Sequence, residues 1–167
     1  KHIQEHVDQA SKDLADERGP CPDAADYGYN ERFSNKTAIA PTASISIICG
    51  GASPGVEPVA ANSYTHKTLS GSFNVKNRYL VELLEKHGKN TDDVWSGITT
   101  NQGSVSHLDF LTDLEKDVFK TAFELDQKWI IELSGDRTPF ISQAQSINLF
   151  VPADIHKREL HKIHFDA

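Results

Sequence analysis

Small hydroxylated residues directly behind a proline are the side chains in this chain best suited to chemistry. In Pro41-Thr42-Ala43-Ser44-Ile45-Ser46, a short apolar run passes into a segment with helical character. Small side chains at such a junction leave successive backbone amides uncovered, and a helix start adds partial positive charge. That combination suits an anion: amides and hydroxyls can form a concave donor surface that holds a phosphate without a lysine. The plainer reading of a Ser/Thr-rich junction is a helix cap. The adjoining Gly50-Gly51 pair allows close backbone packing, or simply a turn.

Other clusters invite chemistry less. His2-Ile3-Gln4-Glu5-His6 matches the H-x-x-E-H pattern of inverted zinc peptidases and sets two imidazoles one helical turn apart. It sits at the end of the chain, where fraying opposes a rigid metal site, and no third ligand is evident. Two solvent-facing histidines are the expectation, and stoichiometric zinc in purified protein would be needed to revive a small metallohydrolase. His156, Glu159, His161 and His164 place only the last pair on one face, as on a surface helix. Asp113, Glu115 and Asp117 read as a solvated face. Cys49 follows an apolar run and reads as a small buried residue, with no base beside it to make it a nucleophile. Cys21 and Cys49 are too few for a disulfide framework and lack zinc-site spacing, so both are expected to be free thiols.

The elements that must position these residues come from a chain of 167 residues, 38% hydrophobic and 25% charged, enough for the core of one ordinary domain. No internal boundary, repeat or low-complexity segment is visible, so residues 1–167 are read as one domain. A net charge of -7 disfavours nucleic acid and anionic membrane surfaces as partners. No stretch approaches the roughly 20 apolar residues of a membrane span, and no signal-peptide core follows Lys1; a cytoplasmic location is the default.

Apolar positions Ile3, Val7, Ala10 and Leu14 predict a helix over 2–18, stopped by Gly19-Pro20-Cys21-Pro22, with a loop to about Asn35. A buried strand is expected at 37–40 and a short helix or turn at 45–49. Residues 71–76 alternate as a strand; a helix starting near Tyr79, capped by Asn77, ends at Gly88. Further helices are predicted at 91–97 behind Thr91 and at 112–122 behind the capping-box sequence Thr112-Asp113-Leu114-Glu115. Residues 125–134 carry Leu125, Trp129, Ile130 and Leu133 as one stripe before Gly135. A strand over 146–151 ends at Pro152, and 154–165 returns to helix. The organisation is helix-rich α/β.

Four ordered segments carry a resemblance: Ala40-Pro41-Thr42-Ala43-Ser44, Ser53-Pro54-Gly55-Val56-Glu57-Pro58, Leu69-Ser70-Gly71-Ser72-Phe73 and Gln143-Ala144-Gln145-Ser146-Ile147-Asn148. Their order and rough spacing resemble the large subunit of class I ribonucleotide reductases. Asn101-Gln102-Gly103-Ser104-Val105 and Leu160-His161-Lys162-Ile163-His164-Phe165 resemble stretches that precede that family's Tyr-Tyr segment. The resemblance implies a helix-rich partial barrel, the C-terminal part of a ten-stranded α/β barrel. It also implies that Pro41, Thr42, Ala43, Ser44 and Ile45 bind the diphosphate of a ribonucleotide. Several relatives carry a hydroxyl residue where this chain has Ile45, so a side-chain contact there passes to Ser46 or is lost.

The family's radical cysteine, its reducing cysteine pair and its Asn-x-Cys-x-Glu finger loop have no match here, so no catalytic residue is assigned. Nor does the resemblance place a cofactor in this segment. It implies a longer polypeptide that reduces ribonucleoside diphosphates, a radical from a metal-containing small subunit, and a thioredoxin-like reductant. A cobalamin-dependent relative shares the barrel and a similar phosphate loop. With Lys1 first and no methionine, the chain is expected to be a piece of that subunit. The alternative is a non-catalytic binding or assembly module of a split or truncated subunit. Strand edges and apolar faces exposed by such a cut predict self-association.

Overall fold

Among the described residues, four helix starts are set by a side chain that accepts from the first free amides: those behind Asn77, Thr91, Thr112 and His156. The computed structural model describes residues 1–68 and 71–167; Leu69 and Ser70 of the third resemblance segment lie outside the described residues. In chain order the elements are α1 (His2–Arg18), α2 (Pro22–Asp26), α3 (Ala43–Ile48), β1 (Ser63–Thr68), β2 (Gly71–Lys76), α4 (Arg78–Lys86), α5 (Asp92–Thr100), α6 (Asp113–Val118), α7 (Lys128–Arg137) and α8 (Lys157–Asp166). The chain divides into two compact units: Lys1–Pro41 with Trp129–Ile147, and Thr42–Lys128 with Asn148–Ala167.

In the first unit, α1 ends where predicted: Gly19 takes φ 79°, and its amide donates to the Ala15 carbonyl at 2.8 Å. Its buried face, however, is not the expected apolar stripe. Ser11 and Ala15 are buried, whereas Ile3 is 74% exposed. The reason is a crossing segment whose backbone needs small neighbours. The Ser11 hydroxyl accepts from the amides of Arg32 at 3.1 Å and Phe33 at 3.3 Å. Beside it, Lys36 bridges Asp8 and Glu31. The Ser11 hydroxyl and then the Lys36 ammonium hold the Glu31 carboxyl below its usual range, against the opposing effect of burial.

The expected loop after α1 contains α2, begun by Pro22 in the first helical turn. The buried strand expected at 37–40 is reduced to a single parallel bridge, Ile39 with Gln145, supported by Ile39 N to Ala144 O at 3.2 Å and Ser146 N to Ile39 O at 2.9 Å. Thr37 and Ile39 are half-buried and Ala38 and Ala40 exposed. Residues 146–151 form no strand either. Apolar alternation supplies a sheet face, but a strand exists only where another backbone pairs with it. Helix α7 begins three residues later than expected, runs through Gly135, and buries Ile130 while Trp129 and Leu133 are 63% and 51% exposed.

The second unit holds an apolar core cluster: Leu80 and Leu84 of α4, Trp95 and Ile98 of α5, and Val105, Leu108 and Leu111 from the connection to α6. One-turn spacing puts each helical pair on one face. The caps stand where the sequence placed them. Asn77 accepts from Tyr79 N at 3.1 Å, Thr91 from Val94 N at 3.4 Å, and Thr112 with Glu115 forms a full capping box. Glu115, expected on a solvated face, also meets His87 Nε2 at 2.9 Å and so links the end of α4 to the start of α6. Its carboxyl is lowered to about 2, first by His87 and then by the Thr112 amide and hydroxyl.

The predicted strand β2 pairs antiparallel with β1, which was not anticipated, from Ser63 opposite Lys76 to Thr68 opposite Gly71. Asn62 fastens this hairpin to the helices. Its side-chain amide donates to the carbonyls of Gly103 at 3.0 Å and Phe119 at 2.6 Å, and its oxygen accepts from Asn77 at 2.9 Å. Gly103, at φ 85°, is required there, because a Cβ would lie 2.5 Å from that of Ala61. Helix α8 buries no residue.

Candidate functional site

Of the five residues singled out for anion binding, Pro41 closes the first unit and Thr42, Ala43, Ser44 and Ile45 open the second. The last three form the first turn of α3, so helix geometry leaves their amides without intrahelical acceptors. Pro41, Ala43, Ser44 and Ile45 are exposed and Thr42 is half-buried. The start of α3 is thus open to a solute.

Thr42 decides how open. It occupies the left-handed region at φ 50°, ψ 28°, a conformation that costs a β-branched residue roughly 1–3 kcal/mol and must be held by its surroundings. Its hydroxyl accepts from the Gly55 amide at 2.7 Å and makes no capping bond to the helix. Its carbonyl accepts from Ser46 N at 2.8 Å. The residue that would ordinarily cover a helix start is therefore turned away from it. Ser46 is buried and donates from its hydroxyl to the Ala43 carbonyl at 2.8 Å, closing the turn from inside.

At the far end of α3, Gly50 and Gly51 adopt φ 87° and 76°, and the Gly51 amide reaches back to the Ser46 carbonyl at 3.0 Å. Arg78 Nη1 would lie 3.2 Å from a Cβ placed on Gly50. That guanidinium donates to the Tyr79 hydroxyl at 2.6 Å and is further stabilised in its charged form by it. Cys49, expected to be buried, is exposed, as are Ile47 and Ile48. A helix of six residues offers too little length to bury both its faces, and here only Ser46 is covered.

The sequence reading missed the turn against which Thr42 rests. Gly55 has φ 57°, and Glu57 N donates to Pro54 O at 3.3 Å. Glu57 is buried at 7% exposure, and its Oε1 accepts from both the backbone amide and the side-chain amide of Asn148, at 2.7 and 2.8 Å. The available signal was an acid set between Val56 and Pro58-Val59, where an unpaired carboxylate would be costly.

The remaining candidates stay apart. His2 and His6 are exposed, with rings 4.6 Å apart edge to face, and His2 lies 3.9 Å from Glu5. Among the described residues, no three His, Cys, Asp or Glu side chains converge on a metal-sized point. His156 caps α8 by accepting from Arg158 N at 3.2 Å, while His161 and His164 are exposed beside Phe165. Cys21 and Cys49 are free. No helix is long and apolar enough to cross a membrane among the described residues.

Comparison with known proteins places the chain in a family. Residues 9–167 match the family model described as ribonucleotide reductase, barrel domain. The ribonucleoside-diphosphate reductase large subunit of Invertebrate iridescent virus 6 is 48% identical over 99% of this chain and 17% of its own length. That of Invertebrate iridescent virus 3 is 43% identical over 100% of this chain and 27% of its own. Among solved structures, the Actinobacillus ureae class Id ribonucleotide reductase alpha subunit superposes with a TM-score of 0.85 at 38% identity, covering 98% of this chain and 29% of that one. The chain thus spans under a third of these relatives, and its helix-rich architecture with a small sheet is that of part of the barrel. On the family match and this shared fold together, the chain belongs to the ribonucleotide reductase barrel-domain family.

Proposed function

We propose that this chain supplies the substrate-diphosphate loop of a ribonucleotide reductase large subunit, which reduces ribonucleoside diphosphates to deoxyribonucleoside diphosphates. The observation that carries this reading is the commitment of the Thr42 hydroxyl to Gly55, which leaves the amides of Ala43, Ser44 and Ile45 uncapped at an exposed helix start. Phosphate oxygens are strong acceptors, and three convergent amides with the Ser44 hydroxyl would satisfy them. Pro41 precedes the loop and lacks an amide hydrogen, so the donors begin behind it. Both units are read as parts of one barrel domain. The cysteine chemistry belongs to other parts of the polypeptide, with a radical from a metal-containing small subunit, a thioredoxin-like reductant, and a cytoplasmic setting. Titrating the isotope-labelled chain with cytidine diphosphate tests the loop: the amide resonances of Ala43, Ser44 and Ile45 should move together and saturate. Unmoved resonances at millimolar ligand would refute it.

A second reading, a non-catalytic assembly module, draws on the exposed apolar residues. Trp129 and Leu133 stand one turn apart on α7, and Tyr27 and Tyr29 are 81% and 68% exposed. Such surface favours association with the remainder of a large subunit or with a second copy. Light scattering over a concentration series should show self-association, and a monomer throughout would count against it.

A further inference from the structure

The geometry points to Glu57 as the positioning residue of the anion loop: its buried carboxylate anchors the turn over 54–57, and that turn holds Thr42 in the conformation that uncovers the α3 amides. The inference rests on the diphosphate reading of the loop. Glu57 itself touches none of the proposed donors. Its effect passes through two linked contacts within one unit. The first is Glu57 Oε1 accepting both Asn148 donors at 2.7 and 2.8 Å. The second is the Gly55 amide, inside the same turn, donating to Thr42 Oγ1 at 2.7 Å.

The anchor is itself tied at both ends. Beyond Asn148, the Phe150 amide donates to Gln127 Oε1 at 2.8 Å, and the buried Gln127 donates to the carbonyls of Ala122 and Leu125, each at 2.8 Å. The Ala122 amide returns to the Val59 carbonyl at 2.8 Å, two residues past Glu57. The turn is therefore enclosed in a ring of directed bonds, and Gly55 meets Thr42 with little freedom. A threonine at positive φ relaxes once that contact goes. Its hydroxyl is then free to cap α3 and compete with an anion for the same amides.

Both Asn148 bonds end on one oxygen, so the requirement is for an acceptor there, not for charge. Glu57→Gln retains an acceptor and Glu57→Ala removes it. In the ligand-free chain, Glu57→Ala should speed hydrogen exchange at the Gly55 and Ser46 amides by about tenfold, the scale of one lost buried hydrogen bond. Leu84 and Ile98 should keep their protection. Cytidine diphosphate affinity should fall by about tenfold in Glu57→Ala and stay within about twofold of wild type in Glu57→Gln. Unchanged exchange at Gly55 and Ser46 would overturn the inference. So would deprotection spreading equally to Leu84 and Ile98, which is the mark of a residue that merely stabilises the unit. Should Glu57→Ala fail to fold, Asn148→Ala, which keeps the backbone donor, should show the same local pattern at smaller amplitude, and no change at Gly55 would again overturn the inference. A wild-type chain that binds no diphosphate would remove the ligand reading, while the exchange rates alone would still decide whether Glu57 orders the loop.

Discussion

The cluster around Leu84 and the loop behind Pro41 belong to one compact unit, yet opposite means hold them. Leu80, Leu84, Ile98 and Val105 are closed from solvent and contribute through apolar area, roughly 1.5–3 kcal/mol for each large side chain. Around Thr42 the chain buries little and is shaped by single directed bonds, from Gly55 to Thr42, from Asn148 to Glu57 and from Ser46 to Ala43. Apolar burial is indifferent to direction and tolerates no open donors. Directed bonds can fix a backbone while leaving adjacent amides unused. The open amides at the start of α3 rest on the second kind of support.

Substitutions can break or sharpen this contrast. The largest effect is expected in the core: Leu84→Ala should lower unfolding free energy in urea by about 2–5 kcal/mol through a cavity. A loss below about 1 kcal/mol would mean that the cluster is not the dominant support. Next comes Gly103→Ala, which combines a positive φ with a Cβ driven toward Ala61 and Asn62. It should cost about 1–3 kcal/mol in the same measurement and free the base of the hairpin. Wild-type stability would show that the backbone there shifts at no cost.

Thr42→Val keeps the shape but deletes the acceptor for Gly55. A loss of about 1–2 kcal/mol is expected, confined to faster exchange at Gly55 and its neighbours. A global loss of protection would erase the distinction between loop and core. The smallest effect lies between them in kind. Glu115 is held at about 2 when folded, below its ordinary 4.5, by His87 and Thr112. A depressed carboxyl stabilises the fold fully above the unfolded value, and that contribution is lost as pH falls from about 4.5 toward about 2. The pair is exposed to solvent and salt, which limits its size. Thermal midpoints across that window should fall more steeply in wild type than in Glu115→Gln, and parallel curves would show that the contact carries no stability.

Much of the helical frame was legible because its causes are local. Asn77, Thr91 and Thr112 accept from amides two or three residues ahead, and Gly19 ends α1 through a conformation open to glycine. The loop at 41–45 was legible for the same reason, since a proline followed by small residues ahead of a helix displays its own free amides. The direction of the Thr42 hydroxyl was not, because Gly55 lies 13 residues away.

What the sequence alone determined, then, is where α1 ends, where α4, α5 and α6 begin, and, through four ordered segments, which family the chain resembles. The tertiary structure decided which face of α1 is buried, that residues 37–40 form one bridge at Ile39 in place of a strand, that Cys49 is exposed, and that Glu57 meets Asn148 across 91 positions. The physical division is one of range. Capping and turn energies depend on the identities of nearby residues, which a sequence lists directly. Strand pairing, burial and the partner of a buried carboxylate depend on which distant backbone arrives beside them, and that is settled only when the chain folds.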